Sequence, residues 1–362
     1  MNSDSLGPPK SRNARFIPFF LILVAAIAIG LVIRHYTGKP QETIGGTWEV
    51  YFSDVYGGEL APDTSNTLDK RLIEKIGTAN TQIDGALYHL DSTPVATALI
   101  NAHNRGVKVR IYTENDNVDE AEIRRLHSAG IPVRDDGDNN GYMHHKFFVV
   151  DERYVWTGSY NTTYNGAYKN NNNVLWFDSV PLALNFAKEF QNIYFSEKKG
   201  NVSDVVVPYP QVTLSDGTQI FTYFSPESDT VSPILQEINS AVKSIQFMAF
   251  SFTQDSIGNS MRDQFQNGIL VEGIFDENGM NEYSEYKTMK DADMPVVIDT
   301  GSGVMHHKVI VLDSERIITG SYNFSKNAAT RNSENLLIIK GTKKIAEAYL
   351  EEYHRIRGSI TQ

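Results

Sequence analysis

Residues 305–335 read MHHKVIVLDSERIITGSYNFSKNAATRNSEN, and residues 143–173 read MHHKFFVVDERYVWTGSYNTTYNGAYKNNNN. The two stretches align without a gap at an offset of 162 positions, and both fit the pattern H-x-K-x4-D-x6-G-S-x-N. The pattern falls on His144, Lys146, Asp151, Gly158, Ser159 and Asn161 in the first copy and on His306, Lys308, Asp313, Gly320, Ser321 and Asn323 in the second. Six fixed positions duplicated in register are a far more specific signal than an isolated H-x-K.

The spacing of each motif predicts a strand followed by a turn. Four apolar residues follow each lysine, Phe147–Val150 in one copy and Val309–Leu312 in the other. Short apolar runs of this kind predict buried strands. Because side chains alternate along a strand, each motif histidine should share a face with its lysine. His145 and His307 should point the other way, and we interpret them as structural. The motif aspartate begins the turn of a hairpin, where a structural role is at least as well supported as a chemical one.

The motif combines groups that suit a phosphoryl substrate. The imidazole can attack or donate a proton, the serine and asparagine can donate hydrogen bonds, and the glycine lets an anion approach the backbone. Two copies supply two histidines, one to attack phosphorus and one to protonate the leaving oxygen. Lys146 and Lys308 would neutralise the non-bridging oxygens, so this chemistry requires no metal or cofactor. The alternative is that these are buried structural histidines, and the duplicated context argues against it.

The doubled pattern resembles the signature of the phospholipase D superfamily of phosphodiesterases, over roughly residues 48–358. The resemblance implies two similar lobes around a pseudo-twofold axis, with one motif from each lobe at a shared site. It also implies two-step catalysis through a covalent phosphohistidine without metal. Finally, it implies that an acidic or amide residue after the motif hydrogen-bonds a catalytic histidine. This residue is Glu334 in the second copy, and Asn172 stands at the same position of the first.

The exchange of a carboxylate for an amide predicts that the two catalytic histidines are inequivalent. A carboxylate fixes the tautomer of an imidazole and raises its basicity, whereas an amide only orients the ring. The family resemblance favours His144 as the nucleophile and His306 as the general acid. The residues alone leave that order open.

Composition narrows the class of protein. The 362 residues carry a formal net charge of −11 and include no cysteine. The length exceeds one typical domain and is sufficient for a large core. The lack of cysteine excludes thiol catalysis, disulfides and cysteine-ligated zinc. A dedicated DNA-binding surface usually carries a basic stripe, and none is visible here. This disfavours a nuclease, although an acidic protein can still contain a local basic cleft.

The N-terminal segment predicts a membrane anchor. Residues 1–15 form a polar head with basic residues at positions 10, 12 and 15. Residues 16–33 are an uncharged apolar run of 18 residues, just long enough to span a bilayer. A cleaved signal peptide is the alternative, and the lack of a small-x-small cleavage site disfavours it. The basic head predicts a cytoplasmic N-terminus and an extracytoplasmic catalytic body, although Arg34 and Lys39 weaken that orientation.

The rest of the chain repeats one order of elements. Each half, residues 45–200 and 201–362, reads β-α-β-α-β, then the motif hairpin, then a last amphipathic helix. Helix-ending glycines at Gly106 and Gly268 keep the offset of 162. The predicted fold class is α/β, with two similar lobes, each a mixed sheet flanked by helices, after one transmembrane helix. The connector, residues 197–219, shows no clear pattern.

Three polar residues at strand ends are weaker site candidates. Glu114 and Asp276 occupy matching positions, 162 apart, near the expected site. Both could contact substrate, with a solvated strand end as the commoner alternative. His89 could line the pocket, and a role outside it is favoured.

These observations favour a membrane-anchored phosphodiesterase of phospholipase D type that hydrolyses a phospholipid headgroup ester. Its partners would be the phospholipid and the membrane surface, and no obligate protein partner is evident. The alternatives are a nuclease that uses the same mechanism, a phosphatidyl transferase similar to cardiolipin synthases, and a degenerate binding module.

Overall fold

The computed structural model describes residues 45–53, 55–56, 59–60, 66–137, 140–196 and 206–360. The predicted head and membrane span, residues 1–33, lie outside these ranges. The boundary predicted between the lobes, at residues 200 and 201, lies outside them as well. Among the helices that the structure describes, none is both long enough and apolar enough to cross a bilayer.

The first lobe contains nine strands and five α-helices within the described ranges. The strands are β1 (Thr47–Phe52), β2 (Val55–Tyr56), β3 (Glu59–Leu60), β4 (Gln82–Leu87), β5 (Lys108–Thr113), β6 (Val133–Asp135), β7 (Lys146–Val150), β8 (Tyr154–Gly158) and β9 (Asn173–Asp178). The helices are α1 (Leu68–Gly77), α2 (Thr93–Asn104), α3 (Ala121–Ser128), α4 (Tyr164–Tyr168) and α5 (Val180–Phe195).

The second lobe repeats this order. Its strands are β10 (Gln211–Thr213), β11 (Gln219–Ser225), β12 (Ser244–Ala249), β13 (Leu270–Asp276), β14 (Val296–Asp299), β15 (Lys308–Leu312), β16 (Arg316–Gly320) and β17 (Glu334–Lys340). Its helices are α6 (Val231–Asn239), α7 (Asp255–Gln266), α8 (Tyr286–Asp291), α9 (Lys326–Thr330) and α10 (Lys343–Ile360).

Each lobe is built on one mixed sheet. The first has the order β1-β9-β8-β7-β4-β5-β6, and the second has the order β10-β11-β17-β16-β15-β12-β13-β14. Strands β4, β5 and β6 pair in parallel, as do β12, β13 and β14, and the motif hairpins pair antiparallel with them. The predicted pair of similar α/β lobes is therefore confirmed.

The two sheets differ in two places that the sequence did not reveal. Strand β10 lies inside the connector that showed no pattern, and it pairs antiparallel with β11 at the sheet edge. Between β1 and α1 the first lobe carries an extra two-stranded ribbon, β2 and β3, and the second lobe has only a short link between β11 and α6. Two-residue strands are too short to produce a periodic pattern.

Both faces of the motif strands are buried, which explains their continuous apolar sequences. Phe147 and Val149 of β7 join a core that also contains Val309 and Val311 of β15, together with apolar residues of α5 and α10. The alternate residue Phe148 packs into a separate core within the first lobe. One hydrophobic core thus belongs to both lobes and fixes the two motif strands relative to each other.

The helix-ending glycines behave as predicted. Gly106 has φ +94° and Gly268 has φ +89°, each just beyond the end of α2 or α7. Glycine adopts these angles without the steric cost that a Cβ would bring, so it can close each helix.

Candidate active site

The backbone just before each motif strand is held by the opposite lobe. The N–H of His144 donates to Ser333 O at 3.0 Å, and the N–H of His306 donates to Asn171 O at 2.9 Å. Short β-bridges join Met143 to Ser333 and Asn171 to Met305. These reciprocal contacts bring the two histidine segments together at the boundary between the lobes.

The strand-end acids fix the same segments from within their own lobes. Glu114 Oε2 accepts a hydrogen bond from the N–H of Met143 at 2.6 Å, and Asp276 Oδ2 accepts one from the N–H of Met305 at 2.6 Å. Both carboxyls are buried, which corrects the interpretation of these residues as solvated strand ends. Burial, together with the charge of Asp136, raises the pKa of Glu114 to about 7.

The ring of each motif histidine binds a residue that follows the other motif. His144 Nδ1 lies 2.8 and 2.9 Å from the carboxylate oxygens of Glu334. His306 Nδ1 lies 3.1 Å from Asn172 Oδ1 and 3.0 Å from Ser159 O. All of these partners are acceptors, so Nδ1 carries the proton in both rings and Nε2 is left for chemistry. The carboxylate therefore serves His144, which sequence position alone did not reveal.

The two lysines are buried beside their histidines. Lys146 Nζ donates to His144 O at 2.8 Å, and Lys308 Nζ donates to His306 O at 2.9 Å. Burial lowers the pKa of Lys146 to about 7 and holds that of Lys308 well below its usual range. A bound phosphate anion would favour the charged forms again, because an opposite charge nearby offsets the cost of desolvation.

The histidines share this electropositive environment. Burial, followed by the charges of Lys146 and Lys308, holds the pKa of His144 well below its usual range. Burial, followed by the charges of Lys308 and then Lys146, also lowers the pKa of His306 well below its usual range, and the charge of His144 adds to this effect. The two motifs therefore lie within electrostatic range of one another.

Two aromatic residues that the sequence analysis missed complete the walls. The Tyr88 ring lies 4.9 Å from the His144 ring, and the Phe250 ring lies 4.9 Å from the His306 ring, both edge to face. The lysine ammonium groups lie 4.9 and 5.0 Å from the same two aromatic rings. Residues 88 and 250 keep the offset of 162, which was the available signal.

The motif serines bind the histidine partners instead of facing open space. Ser159 Oγ donates to Asn172 Oδ1 at 2.9 Å, and Ser321 Oγ donates to Glu334 Oε2 at 2.7 Å. Both serines are completely buried. The expectation that these hydroxyls donate directly to an anion is therefore replaced by a positioning role, since each hydroxyl orients the residue that holds a motif histidine ring.

The motif glycines admit a neighbouring strand. A Cβ on Gly158 would lie 2.2 Å from Asn173 O, and a Cβ on Gly320 would lie 2.2 Å from Asn335 O. The role expected for these glycines, approach of an anion to the backbone, gives way to close approach of the adjacent strand.

Each motif asparagine has unmet hydrogen-bonding capacity. Among the described residues, the buried Oδ1 atoms of Asn161 and Asn323 have no hydrogen-bond partner. Buried polar groups are rarely left unsatisfied in proteins, so these two amides mark positions where a ligand or water would be bound.

The second histidine of each motif lies on the opposite face, as the alternation predicts. His145 Nε2 is 3.1 Å from Glu189 Oε1, and His307 Nε2 is 3.0 Å from Glu352 Oε1. Both histidines are fully buried, and burial lowers the pKa of His145 to about 3. These imidazoles connect each motif to the last helix of its lobe.

The motif aspartates brace a neighbouring loop. Asp151 accepts hydrogen bonds from the backbone N–H groups of residues 80, 81 and 82, at 2.8–3.2 Å. Asp313 does the same for residues 242, 243 and 244, at 2.7–3.2 Å. Although burial opposes ionisation, these hydrogen bonds lower the pKa of both carboxyls. The aspartates contact the start of strands β4 and β12, so their contacts are structural.

His89 forms an ion pair with Glu120, and this hydrogen bond raises the pKa of the imidazole. Its ring packs against Tyr88 at a centroid distance of 6.4 Å. His89 therefore contacts Tyr88, the residue whose ring also packs against His144.

Two buried histidine–lysine pairs at the boundary of two equivalent lobes define a site for phosphodiester chemistry. The family description "Cardiolipin synthase, PLD-like domain" matches residues 72–194 and 234–357, one match in each lobe. A phospholipase D of Rickettsia prowazekii (strain Madrid E) is 30% identical over 165 residues, which are 45% of this chain and 80% of that protein. A mitochondrial cardiolipin hydrolase of Xenopus laevis is 36% identical over 135 residues, which are 37% of this chain and 63% of that protein.

A solved structure extends the likeness across both lobes. Phosphatidylserine synthase of Haemophilus influenzae Rd KW20 matches 86% of this chain and 86% of its own, with a TM-score of 0.60 and 12% identity. Because the sequence identity is so low, this likeness shows a shared fold alone. The chain belongs to the phospholipase D superfamily, and its activity is of the phosphodiesterase class.

Proposed function

We propose that this chain is a membrane-anchored phosphodiesterase that hydrolyses a phospholipid headgroup ester through a covalent phosphohistidine. The observation that carries the proposal is the pairing of His144 with the buried Glu334 carboxylate beside two buried lysines. The first step is attack of His144 Nε2 on phosphorus. The bond from phosphorus to the headgroup oxygen breaks, and His306 transfers a proton from Nε2 to that oxygen.

The second step reverses the proton transfer. His306, now neutral at Nε2, accepts a proton from a water molecule that attacks the phosphohistidine. The phosphorus–nitrogen bond breaks, phosphatidic acid is released, and His144 is regenerated. Glu334 stabilises the positive imidazole ring that exists while His144 is bonded to phosphorus, which an amide could not do as strongly.

The lysines link the binding of substrate to the protonation of His306. His306 must carry two ring protons to act as an acid, and burial, followed by the lysine charges, opposes this in the free enzyme. A phosphodiester anion between Lys146 and Lys308 would offset those charges and raise the pKa of His306. Binding of substrate would therefore prepare the acid that the first step requires.

Three observations support a lipid substrate. The Rickettsia and Xenopus relatives are named for phospholipase D and cardiolipin hydrolase activities. The net charge of −11 disfavours a nucleic acid, because binding to its backbone is dominated by positive charge. The apolar run at residues 16–33, which lies outside the described ranges, supports an anchor that presents the body to a bilayer.

The name of the matched family also supports transfer to an alcohol as a second candidate reaction. In that reaction an alcohol, in place of water, would attack the phosphohistidine. The two reactions share the first step and differ in the acceptor of the second.

A three-arm assay with the detergent-solubilised full-length chain tests the proposal. Vesicles of phosphatidylcholine or phosphatidylglycerol form one arm, phosphatidylcholine vesicles with added glycerol form the second, and single-stranded DNA forms the third, all in EDTA. We expect headgroup release and phosphatidic acid in the first arm. A product formed mainly in the presence of glycerol would identify a transferase, and cleavage in the DNA arm alone would overturn the lipid proposal.

A further inference from the structure

Arg355 on helix α10 joins the two lobes behind the active site. Its guanidinium donates to both carboxylate oxygens of Glu352, at 2.7 Å each. It also donates to Val55 O at 2.7 Å and to Asn171 Oδ1 at 2.8 Å. Val55 and Asn171 belong to the first lobe, so this single side chain fixes the last helix of the second lobe to the first.

Asn171 carries that connection to the motif histidine of the second lobe. Its carbonyl oxygen accepts the N–H of His306 at 2.9 Å, and its own N–H donates to Val304 O at 2.8 Å. The next residue, Asn172, binds the His306 ring at 3.1 Å. The two-residue segment therefore holds both the backbone and the imidazole of His306, and Arg355 holds the segment.

A second path of hydrogen bonds leads from Arg355 to His307, the residue next to His306. Glu352, which Arg355 grips with two hydrogen bonds, accepts from His307 Nε2 at 3.0 Å. Asn173 Nδ2 lies 2.9 Å from the other ring nitrogen of His307. Arg355 thus supports the motif from both sides, through Asn171 and through Glu352.

Among the described residues of the first lobe, no arginine takes the place of Arg355. Glu189 and Glu352 both bind the second histidine of their motif, so Asn192, three residues after Glu189, stands where Arg355 stands. Within the described ranges, Asn192 Nδ2 and Glu189 Oε2 have no hydrogen-bond partner. The support is therefore one-sided and serves the His306 half alone.

The additional support for the His306 half agrees with a difference between the His144 and His306 rings in the acceptors that hold them. His144 is held by a charged carboxylate, which is a strong acceptor with two oxygens at 2.8 and 2.9 Å. His306 is held by an amide and a carbonyl, which are weaker acceptors. The orientation of the His306 ring therefore depends more on the position of the segment that supplies Asn172, one of its two partners.

We propose that Arg355 is a positioning residue for His306. By fixing the Asn171–Asn172 segment, it keeps His306 Nε2 in place to deliver a proton to the leaving oxygen. The inference rests on the proposed function, because it takes His306 to be the general acid.

The test measures how the rate depends on the acidity of the leaving group. The full-length chain would be assayed on a series of substituted-phenyl phosphodiesters whose phenols differ in acidity. A good leaving group departs without a proton, whereas a poor one needs the acid. We expect Arg355→Asn to reduce kcat/KM, which reports the first step alone, roughly 10- to 100-fold on the poorest leaving group and much less on p-nitrophenyl, since small misplacements of a catalytic group cost rates of this order.

Two further variants keep the outcome interpretable. Asn171→Ala removes one branch of the connection and leaves the contacts of Arg355 to Glu352 and Val55, so it should reproduce the steeper dependence even if Arg355→Asn does not fold. Asn192→Ala, at the matching position of helix α5, should keep the wild-type slope.

His306→Ala separates the inference from the proposed function. If it lacks the steep dependence, the acid role of His306 is wrong. If His306→Ala does show the steep dependence on leaving-group acidity, the Arg355 and Asn171 variants decide the inference. Should these variants fold and slow all substrates equally, or slow none of them, the positioning role of Arg355 is wrong.

Discussion

Replacing Glu334 with glutamine tests the central electrostatic feature of the site. Glutamine keeps the size of the side chain and an acceptor for His144 Nδ1–H, and it removes the charge. A hydrogen bond to a charged group contributes about 1.5–3 kcal/mol net and a neutral one about 0.5–1.5 kcal/mol, so loss of the charge alone costs about 1–1.5 kcal/mol. Since about 1.36 kcal/mol corresponds to a tenfold change in rate, kcat/KM should fall roughly 5- to 13-fold. The loss should appear in kcat, because the positive imidazole forms only after attack.

The same variant should change the pH profile. Burial raises the pKa of Glu334 to about 7. The ionised carboxylate is the active form, so wild-type kcat/KM should fall as pH drops through that pKa. Glutamine does not titrate, and the acid limb near pH 7 should disappear in Glu334→Gln. The measurement is kcat/KM on a p-nitrophenyl phosphodiester between pH 5 and about 9, where kcat/KM reports the free enzyme.

Glu189→Gln is a matched control for this prediction. Glu189 is also a fully buried glutamate bonded to a histidine, and burial raises the pKa of its carboxyl. Burial thus favours the protonated form of Glu189, which glutamine resembles. We expect little change in rate and an unchanged acid limb. If Glu334→Gln kept both its rate and its acid limb, the assignment of Glu334 as the charge partner of the nucleophile would be refuted.

Three other predictions follow from the site and its support. In the first, an activated aryl phosphodiester labelled at phosphorus is supplied in the presence of EDTA, and the reaction is stopped with an alkaline denaturing quench. His144→Ala should retain no label on the protein, and His306→Ala should accumulate it. Dependence of labelling on a divalent ion would contradict the metal-free mechanism. Asp151→Asn should lower the free energy of unfolding by about 1–2 kcal/mol at pH 7 by denaturant titration, because hydrogen bonds to a charged acceptor are weakened. Since the pKa of this carboxyl is depressed in the folded state, the difference should shrink as pH falls through the folded pKa, and a pH-independent difference would argue against a charge effect. Gly158→Ala should lower the melting temperature, because its Cβ would lie 2.2 Å from Asn173 O and overpacking of this kind costs about 1–3 kcal/mol; an unchanged melting temperature would show that strand β9 can move aside.

Local pattern accounts for most of the fold prediction. Apolar runs after the lysines predicted strands, and β7 and β15 cover these runs and begin one residue earlier, at the lysine. Glycines at positions 106 and 268 predicted helix ends, because few other residues adopt their positive φ. The short strand β10 escaped prediction because it is formed by pairing with β11, and three residues carry no periodic signal of their own.

The candidate site divides in the same way. Duplication of the motif identified the histidines and lysines, because chemistry that needs two copies leaves a repeat in the sequence. It did not reveal that the motif serines orient Glu334 and Asn172, or that Glu114 and Asp276 are buried beneath the histidine segments. These roles depend on which way a side chain points after the lobes pack.

The sequence by itself determined that the protein has two equivalent halves with a phosphodiesterase motif in each. It also determined that a carboxylate, Glu334, follows the second motif at the position where an amide, Asn172, follows the first. Tertiary structure alone decided which histidine receives the carboxylate. Glu334 follows the second motif yet binds His144 of the first, 190 positions away, because the shared core places each motif beside the end of the other. Residue order cannot encode such an exchange, since it arises when two similar surfaces pack against each other. The same packing connects Arg355 to Asn171, and it makes two similar halves into one asymmetric site.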